Sequence, residues 1–243
     1  MYSATVQASA SRDRQQIQRR RLRYRLAAHH VPLMLASAAC VAVLYLTRTY
    51  TDVLSRLSFA TAYPALALVA ASLLIGPWNV LRKRRNAVSS DLRRDVGIWA
   101  GILGVIHTAV GQNVHLRGRP WLYYVYEAKE KHSFPLRHDL FGLANYTGAL
   151  SVLLLAGLFA TSNDYSLRAL GTRGWKQLQR WNYGVFALAA VHAVAYQASE
   201  KQKPPYLLSV LACIALTVCV QVAGFLRRRG TDREEDGRGA IQG

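Results

Sequence analysis

Apolar residues gather along this chain in long blocks rather than at the spacing of a single buried helix face. Six blocks, at 30–46, 59–78, 96–114, 140–161, 181–196 and 205–226, are separated by short polar segments. Each is close to the roughly 20 residues that a helix needs to cross about 30 Å of hydrocarbon. Only a segment that satisfies its own backbone hydrogen bonds is stable there, which selects the helix. The pattern predicts an all-α integral membrane protein: a six-transmembrane-helix bundle over 30–226, preceded by a basic segment 1–29 and followed by a charged, glycine-rich tail 227–243 expected to be disordered.

Composition turns the blocks into a topology. The chain is 51% hydrophobic yet carries 31 Lys+Arg against 13 Asp+Glu, a net charge of +18. The basic residues sit at alternate ends of the blocks. Arg12, Arg14, Arg19, Arg20, Arg21, Arg23 and Arg25 precede the first, and Arg82, Lys83, Arg84, Arg85, Arg93 and Arg94 lie between the second and third. Arg168, Arg173, Lys176 and Arg180 lie between the fourth and fifth, and Arg227, Arg228 and Arg229 follow the sixth. The positive-inside bias then places both termini in the cytoplasm. RRRLRYR abuts an apolar block and accompanies no nucleic-acid motif, so contact with anionic membrane lipids accounts for it and no nucleic-acid partner is expected. The first block, with ASAAC inside it, also admits reading as a cleaved signal peptide; the long basic segment before it favours an uncleaved anchor.

Cys40, Cys213 and Cys219 all fall within apolar blocks, as small buried hydrophobes would, and their spacing fits neither an iron–sulfur centre nor a disulfide framework. No glycine-rich nucleotide motif is present and the polar segments are too short to fold an FAD or NAD(P)H domain. Any electrons carried by this chain come from elsewhere, a cytoplasmic or quinol donor.

Of seven histidines, only His107 and His192 lie well inside a block. Ionisable residues at such depth usually have a partner and a task. His107 stands thirteen residues past Arg94 and His192 thirteen past Gln179, each counted from the start of an outward-running helix. At 1.5 Å per residue both lie about 20 Å from the inner boundary, so the two can face one another in the outer half of the bilayer. That arrangement suits two imidazoles on the iron of a b-type heme. Gly97, Gly101, Gly104 and Gly111 around His107, with Ala189 and Ala195 beside His192, would leave room for a porphyrin. Ordinary small-residue helix contacts explain the glycines equally well, and paired polar groups between helices are the plain alternative for the histidines.

The runs ALALVAASLLIGPWNVL, RRDVGIWAGILGVIH, LANYTGALSVLLLAGLFATSN and LRALGTRGWKQLQRWNYGVFALAAVH resemble the ferric reductase-like transmembrane domain over about 60–197, and within it the bacterial heme-binding membrane subunits that serve a periplasmic methionine sulfoxide reductase. The resemblance implies a bacterial inner-membrane b-type cytochrome component that passes electrons to an external acceptor, a redox protein or small molecule. It puts His107 and His192 on the heme-ligand positions, Arg94 on the basic pair ahead of the third block, and Trp175 and Tyr183 on the motif that opens the fifth. Gln179 stands where the family usually carries another histidine. Glutamine is a poor iron ligand, so a single heme b is expected, with an inner-side quinone or flavin near Arg94 and Gln179 as a further possibility.

Two other functions remain open at this level. A ferric or cupric metalloreductase would present metal directly at the outer face, where the segment RGRPWLYYVYEAKEKHSFPLRH adds His132 and His138 to nearby His115. These histidines lack the close regular spacing of a metal site, and Trp121, Tyr123, Tyr124 and Tyr126 read as headgroup-level aromatics. A non-redox membrane protein that keeps the fold is the third reading.

Overall fold

The computed structural model describes residues 15–48, 52–83, 90–115, 119–128, 130, 132–199 and 204–241, with backbone only at 90 and 232–241. Arg12, Arg14, Arg84 and Arg85 of the basic segments lie outside the described residues. Among the described residues seven long helices follow one another: α1 Gln15–Thr47, α2 Val53–Leu81, α3 Ser90–Gly111, α4 Leu140–Ala160, α5 Asp164–Gln179, α6 Asn182–Ser199 and α7 Pro204–Ile241, with a short 3-10 turn at Pro120–Tyr123. The described residues contain no strand beyond an isolated bridge between Val125 and Leu136.

Local chemistry sets several boundaries. The Asp52 carboxylate caps α2 by accepting from the Ser55 N–H at 2.8 Å, Asp139 caps α4 through Gly142 N–H at 2.7 Å, and Asn163 caps α5 through Ser166 N–H at 2.8 Å. Pro64 and Pro77 lie inside α2 without ending it. Helix-breaking residues persist where neighbouring helices support the backbone. Pro77 is also a close-packing point: a Cβ on Gly224 of α7 would stand 2.7 Å from Pro77 Cβ.

Among the described residues, four helices are long and apolar enough to cross a membrane: α1, α2, α4 and the 204–231 part of α7. Each covers one of the six apolar blocks to within a residue. The remaining two blocks correspond to α3 and α6, which are shorter in apolar content for a shared reason. α3 opens with Asp91, Arg93, Arg94 and Asp95 and carries His107 and Thr108; α6 carries Asn182, His192, Tyr196 and Gln197. Their polar groups serve the interior of the bundle rather than lipid.

The core joins α2, α3, α4, α6 and α7 through Leu66, Val69, Leu73, Ala100, Leu155, Leu158, Val185, Phe186 and Val210. Polar ties cross it at few places. Asn182 donates to Ser72 Oγ at 2.6 Å, and the Ser151 hydroxyl donates to Val185 O at 3.1 Å. The outside is apolar: Leu35, Val43 and Leu46 of α1, Leu153 of α4, and Leu208, Leu216 and Phe225 of α7 are all more than half exposed. A contiguous apolar exterior of this kind fits lipid and not water.

Several expectations are corrected. Cys40 and Cys219 are exposed on that apolar exterior, and only Cys213 is partly buried, because the helix faces bearing the first two meet no other helix. Tyr123 is not a headgroup aromatic: it is 2% exposed, stacked on Phe141 at 5.7 Å, with its hydroxyl donating to Gly111 O at 2.9 Å. The polar stretch between the fourth and fifth blocks, where no helix is expected, forms α5, kinked at Gly171 where φ is 66°. Apart from these corrections, the α7 backbone continues as helix to Ile241.

Candidate functional site

α2, α3, α4 and α6 surround a cavity of about 250 Å³. His107 from α3 and His192 from α6 both line it, with ring centroids 6.1 Å apart and planes 69° apart. The depth-matched pair thus meets across one space.

Each imidazole is held from behind. His107 Nδ1 donates to Ser58 O at 3.0 Å, and His192 Nδ1 donates to Ala144 O at 2.7 Å. A carbonyl only accepts, so both rings carry their proton on Nδ1 and keep the Nε2 lone pair available. Neither Nε2 has a hydrogen-bond partner among the described residues. This is the arrangement by which proteins orient metal-binding histidines: one ring nitrogen tied to a carbonyl, the other offered.

The close approach of His192 to α4 depends on Gly148, one turn beyond Ala144, where a Cβ would stand 2.6 Å from Nδ1 and 2.9 Å from Cε1. The α3 glycines divide their roles. A Cβ at Gly101 would meet Phe159 at 3.0 Å and one at Gly104 would meet Leu155 at 2.8 Å, so these two set the α3–α4 packing. Gly104 and Gly111 also line the cavity, as does Ala189, whereas Ala195 is buried away from it and Gly97 meets nothing within 4 Å.

Arg94 and Gln179 have different surroundings. Arg94 donates to Ser162 O at 2.8 Å and to Asp164 Oδ1 at 2.6 Å, tying α3 to the α4–α5 junction. Trp175 fastens the same junction by donating to Thr161 O at 3.0 Å, and Tyr183 donates to Gln221 Oε1 at 3.3 Å. Gln179 Nε2 is buried with no hydrogen-bond partner, and nothing joins it to Arg94 among the described residues.

Reasoning from sequence missed a cluster at the arginine-rich end. The backbone of α1 widens into a π turn at Leu26–His30, a departure often found at functional sites. There Arg25, His29 and His30 converge on Asp95, which is 0% exposed. Arg25 pairs with both carboxylate oxygens, His29 Nδ1 lies 2.7 Å from Oδ2 and His30 Nε2 3.2 Å from Oδ1. Trp99 Nε1 donates to His30 Nδ1 at 3.3 Å, leaving Nε2–H to face the carboxylate. One turn away Arg21 pairs with Asp91 at 2.6 Å. Two arginines spaced by four thus meet two aspartates spaced by four, a pairing that was legible in the sequence.

At the opposite, loop-bearing end, His115 Nε2 lies 2.7 Å from Tyr196 Oη, and the Tyr196 ring lies 5.8 Å from His192. His132 and His138 are elsewhere, grouped around Tyr126 with their rings 5.8 Å apart. The three outer histidines do not converge, and no group of three or more metal-ligating side chains is placed to hold a metal among the described residues.

No family model matches the chain. Over 159 residues, 64% of its length, it is 29% identical to the protein-methionine-sulfoxide reductase heme-binding subunit MsrQ of Yersinia pseudotuberculosis serotype O:1b (strain IP 31758), covering 70% of that protein. Proteins of the same name from Yersinia pestis (strain Pestoides F) and Yersinia pestis bv. Antiqua (strain Angola) match equally over 68% of their length. The resemblance carried by the sequence motifs is thus found again over those 159 residues: this protein is similar to the heme-binding subunits of the protein-methionine-sulfoxide reductase system.

Proposed function

We propose that this chain is the membrane subunit of an electron-transfer system: a six-span helical bundle in a bacterial inner membrane, termini cytoplasmic, holding one b-type heme between His107 and His192. The observation that carries the reading is the pair of imidazoles, 6.1 Å apart across one cavity with both Nδ1 atoms committed to carbonyls. An imidazole nitrogen binds a metal at about 2.1 Å and lies about 1.2 Å from its ring centre, so two rings on opposite sides of one ion have centroids about 6.5 Å apart. The separation in this protein fits.

A bound heme supplies a one-electron ferric/ferrous couple. The chain's own residues do the rest. Ser58 and Ala144 carbonyls fix both ring tautomers and make the Nε2 atoms better donors. Leu66, Val69, Leu155 and Val185 keep water from the arginine-rich end of the cavity. Substrate chemistry takes place in a partner, here a soluble reductase subunit at the outer face, and electrons enter from a cytoplasmic or quinol donor. A direct metalloreductase has no comparable support, since His115 pairs with Tyr196 while His132 and His138 group around Tyr126, so the three do not gather at one point.

An absorption spectrum of the purified chain, oxidised and dithionite-reduced, with heme quantified per chain, tests the reading. One heme in the wild type and loss of the bis-imidazole spectrum in His107→Ala and His192→Ala are expected. A wild-type protein purified from heme-replete cells without heme overturns it.

A further inference from the structure

The cavity has two unlike ends. Toward the arginine-rich end it is lined mainly by the apolar Leu66, Val69, Leu155 and Val185, with the Ser151 hydroxyl spent on Val185 O at 3.1 Å. Toward the loop-bearing end the lining turns polar, with Gln112, His115, Tyr196 and Gln197. Burying an ionised carboxylate is costly unless hydrogen-bond donors meet it, whereas methyl and vinyl groups favour an apolar wall. An amphipathic ligand in this space therefore has one favoured orientation.

We propose, resting on the heme reading above, that the outer end of the cavity is a carboxylate site: the two acid side chains of the tetrapyrrole face Gln112, His115 and Gln197, and its apolar edge faces Val69, Leu155 and Val185. The donors are suitably placed. Gln112 Nε2 uses one hydrogen on Tyr124 Oη at 3.0 Å and keeps a second. His115 is held by Tyr196 through Nε2 at 2.7 Å and keeps its other ring nitrogen. Gln197 Nε2 donates to Tyr63 Oη at 2.6 Å while its buried Oε1 has no partner. A tyrosine hydroxyl donates as readily as it accepts, so this amide can turn over, satisfy its oxygen on Tyr63 and present its NH₂ to the cavity. A positive charge stands at the same end: the Arg48 guanidinium, itself 9% exposed, lies 4.3 Å over the ring of Phe59, another lining residue. Through His115 and Tyr196, a carboxylate bound there is one hydrogen bond and one ring contact from His192.

The test compares two ligands on the heme-free full-length chain: protoheme and its dimethyl ester, which keeps the iron and ring but lacks the acids. Binding is followed by Soret titration for the wild type, His115→Leu, Gln112→Leu and His115→Gln. The wild type is expected to favour protoheme by at least about tenfold, the scale of charge-assisted hydrogen bonds. His115→Leu and Gln112→Leu should narrow that preference several-fold, and His115→Gln, which keeps a donor, should restore it. Equal affinity of the wild type for both ligands overturns the carboxylate site without any mutation. So does a preference unchanged in both leucine variants. Failure of the wild type to take up either ligand removes the heme reading itself and this inference with it.

Discussion

A Cβ on Gly148 would stand 2.6 Å from Nδ1 of His192, so the histidine occupies space that every other residue type at 148 would claim. The ring reaches Ala144 O, at 2.7 Å, through that gap. Gly148→Ala is therefore expected to push the ring off the carbonyl. Overpacking of this kind costs about 1–3 kcal/mol when it cannot relax, and a swinging side chain relaxes some of it, so the site should suffer more than the fold. The expected result is heme content well below wild type with only a small drop in melting temperature. Wild-type heme content would remove the glycine from the site.

Asp95 is fully buried beneath Arg25, His29 and His30. Deleting one partner of a buried charge pair leaves the other uncompensated, at about 3–5 kcal/mol. Asp95→Ala should destabilise the α1–α3 contact on this scale, seen as accelerated proteolysis of α1 and a lower melting temperature in detergent. Asp91→Ala is the control: its partner Arg21 is 57% exposed, and an exposed pair contributes about 0–1 kcal/mol.

Acid should undo the same contact. Asp95 lies just before the apolar run that starts at Val96. Burial pushes its carboxyl up, but hydrogen bonds from Arg25 and His29 and the Arg25 charge outweigh this and hold it below the usual carboxylate range. Asp164 is lowered as well, chiefly by its hydrogen bond from Arg94, although its exposure makes that contribution small. A depressed folded-state value stabilises the protein fully above the unfolded value, about 3.9, and this is lost as pH falls through the folded value. Stability measured from pH 7 downward should hold to about pH 5 and then decline; in Asp95→Asn the decline should be shallower. An equal slope in both would remove Asp95 from the account.

Arg94 separates a structural role from a redox one. Its hydrogen bonds end on Ser162 O and Asp164. Arg94→Gln is expected to loosen the α4–α5 junction, lowering the melting temperature, while the heme spectrum and its reduction by dithionite stay unchanged. Intact stability with slowed electron delivery from a quinol would reverse that assignment.

Gln179 Nε2 is buried without a partner, and such a donor costs about 1–3 kcal/mol. Gln179→Leu should leave stability equal or higher, and heme per chain unchanged at one. A fall in bound heme would place the glutamine against a cofactor.

Much of this was readable along the chain. The apolar blocks of 59–78 and 140–161 lie within α2 and α4 nearly end to end, because a length of continuous apolar sequence and a capping residue such as Asp139 act locally. The matched depths of His107 and His192 followed from 1.5 Å per residue alone. The glycine pattern was only half legible: small residues in α3 are visible in sequence, but whether Gly101 meets Phe159 or a ligand depends on which face α4 takes.

The sequence by itself determined the six apolar helices and which two imidazoles share a level. Tertiary structure alone decided that Ser58 and Ala144 would take the Nδ1 protons, that Tyr123 would turn inward, and that Arg25, His29 and His30 would close on Asp95. The reason is physical. Hydropathy and helical rise are properties of consecutive residues, whereas a carbonyl or carboxylate becomes a partner only when packing brings residues nearly 50 or more positions apart to within 3 Å.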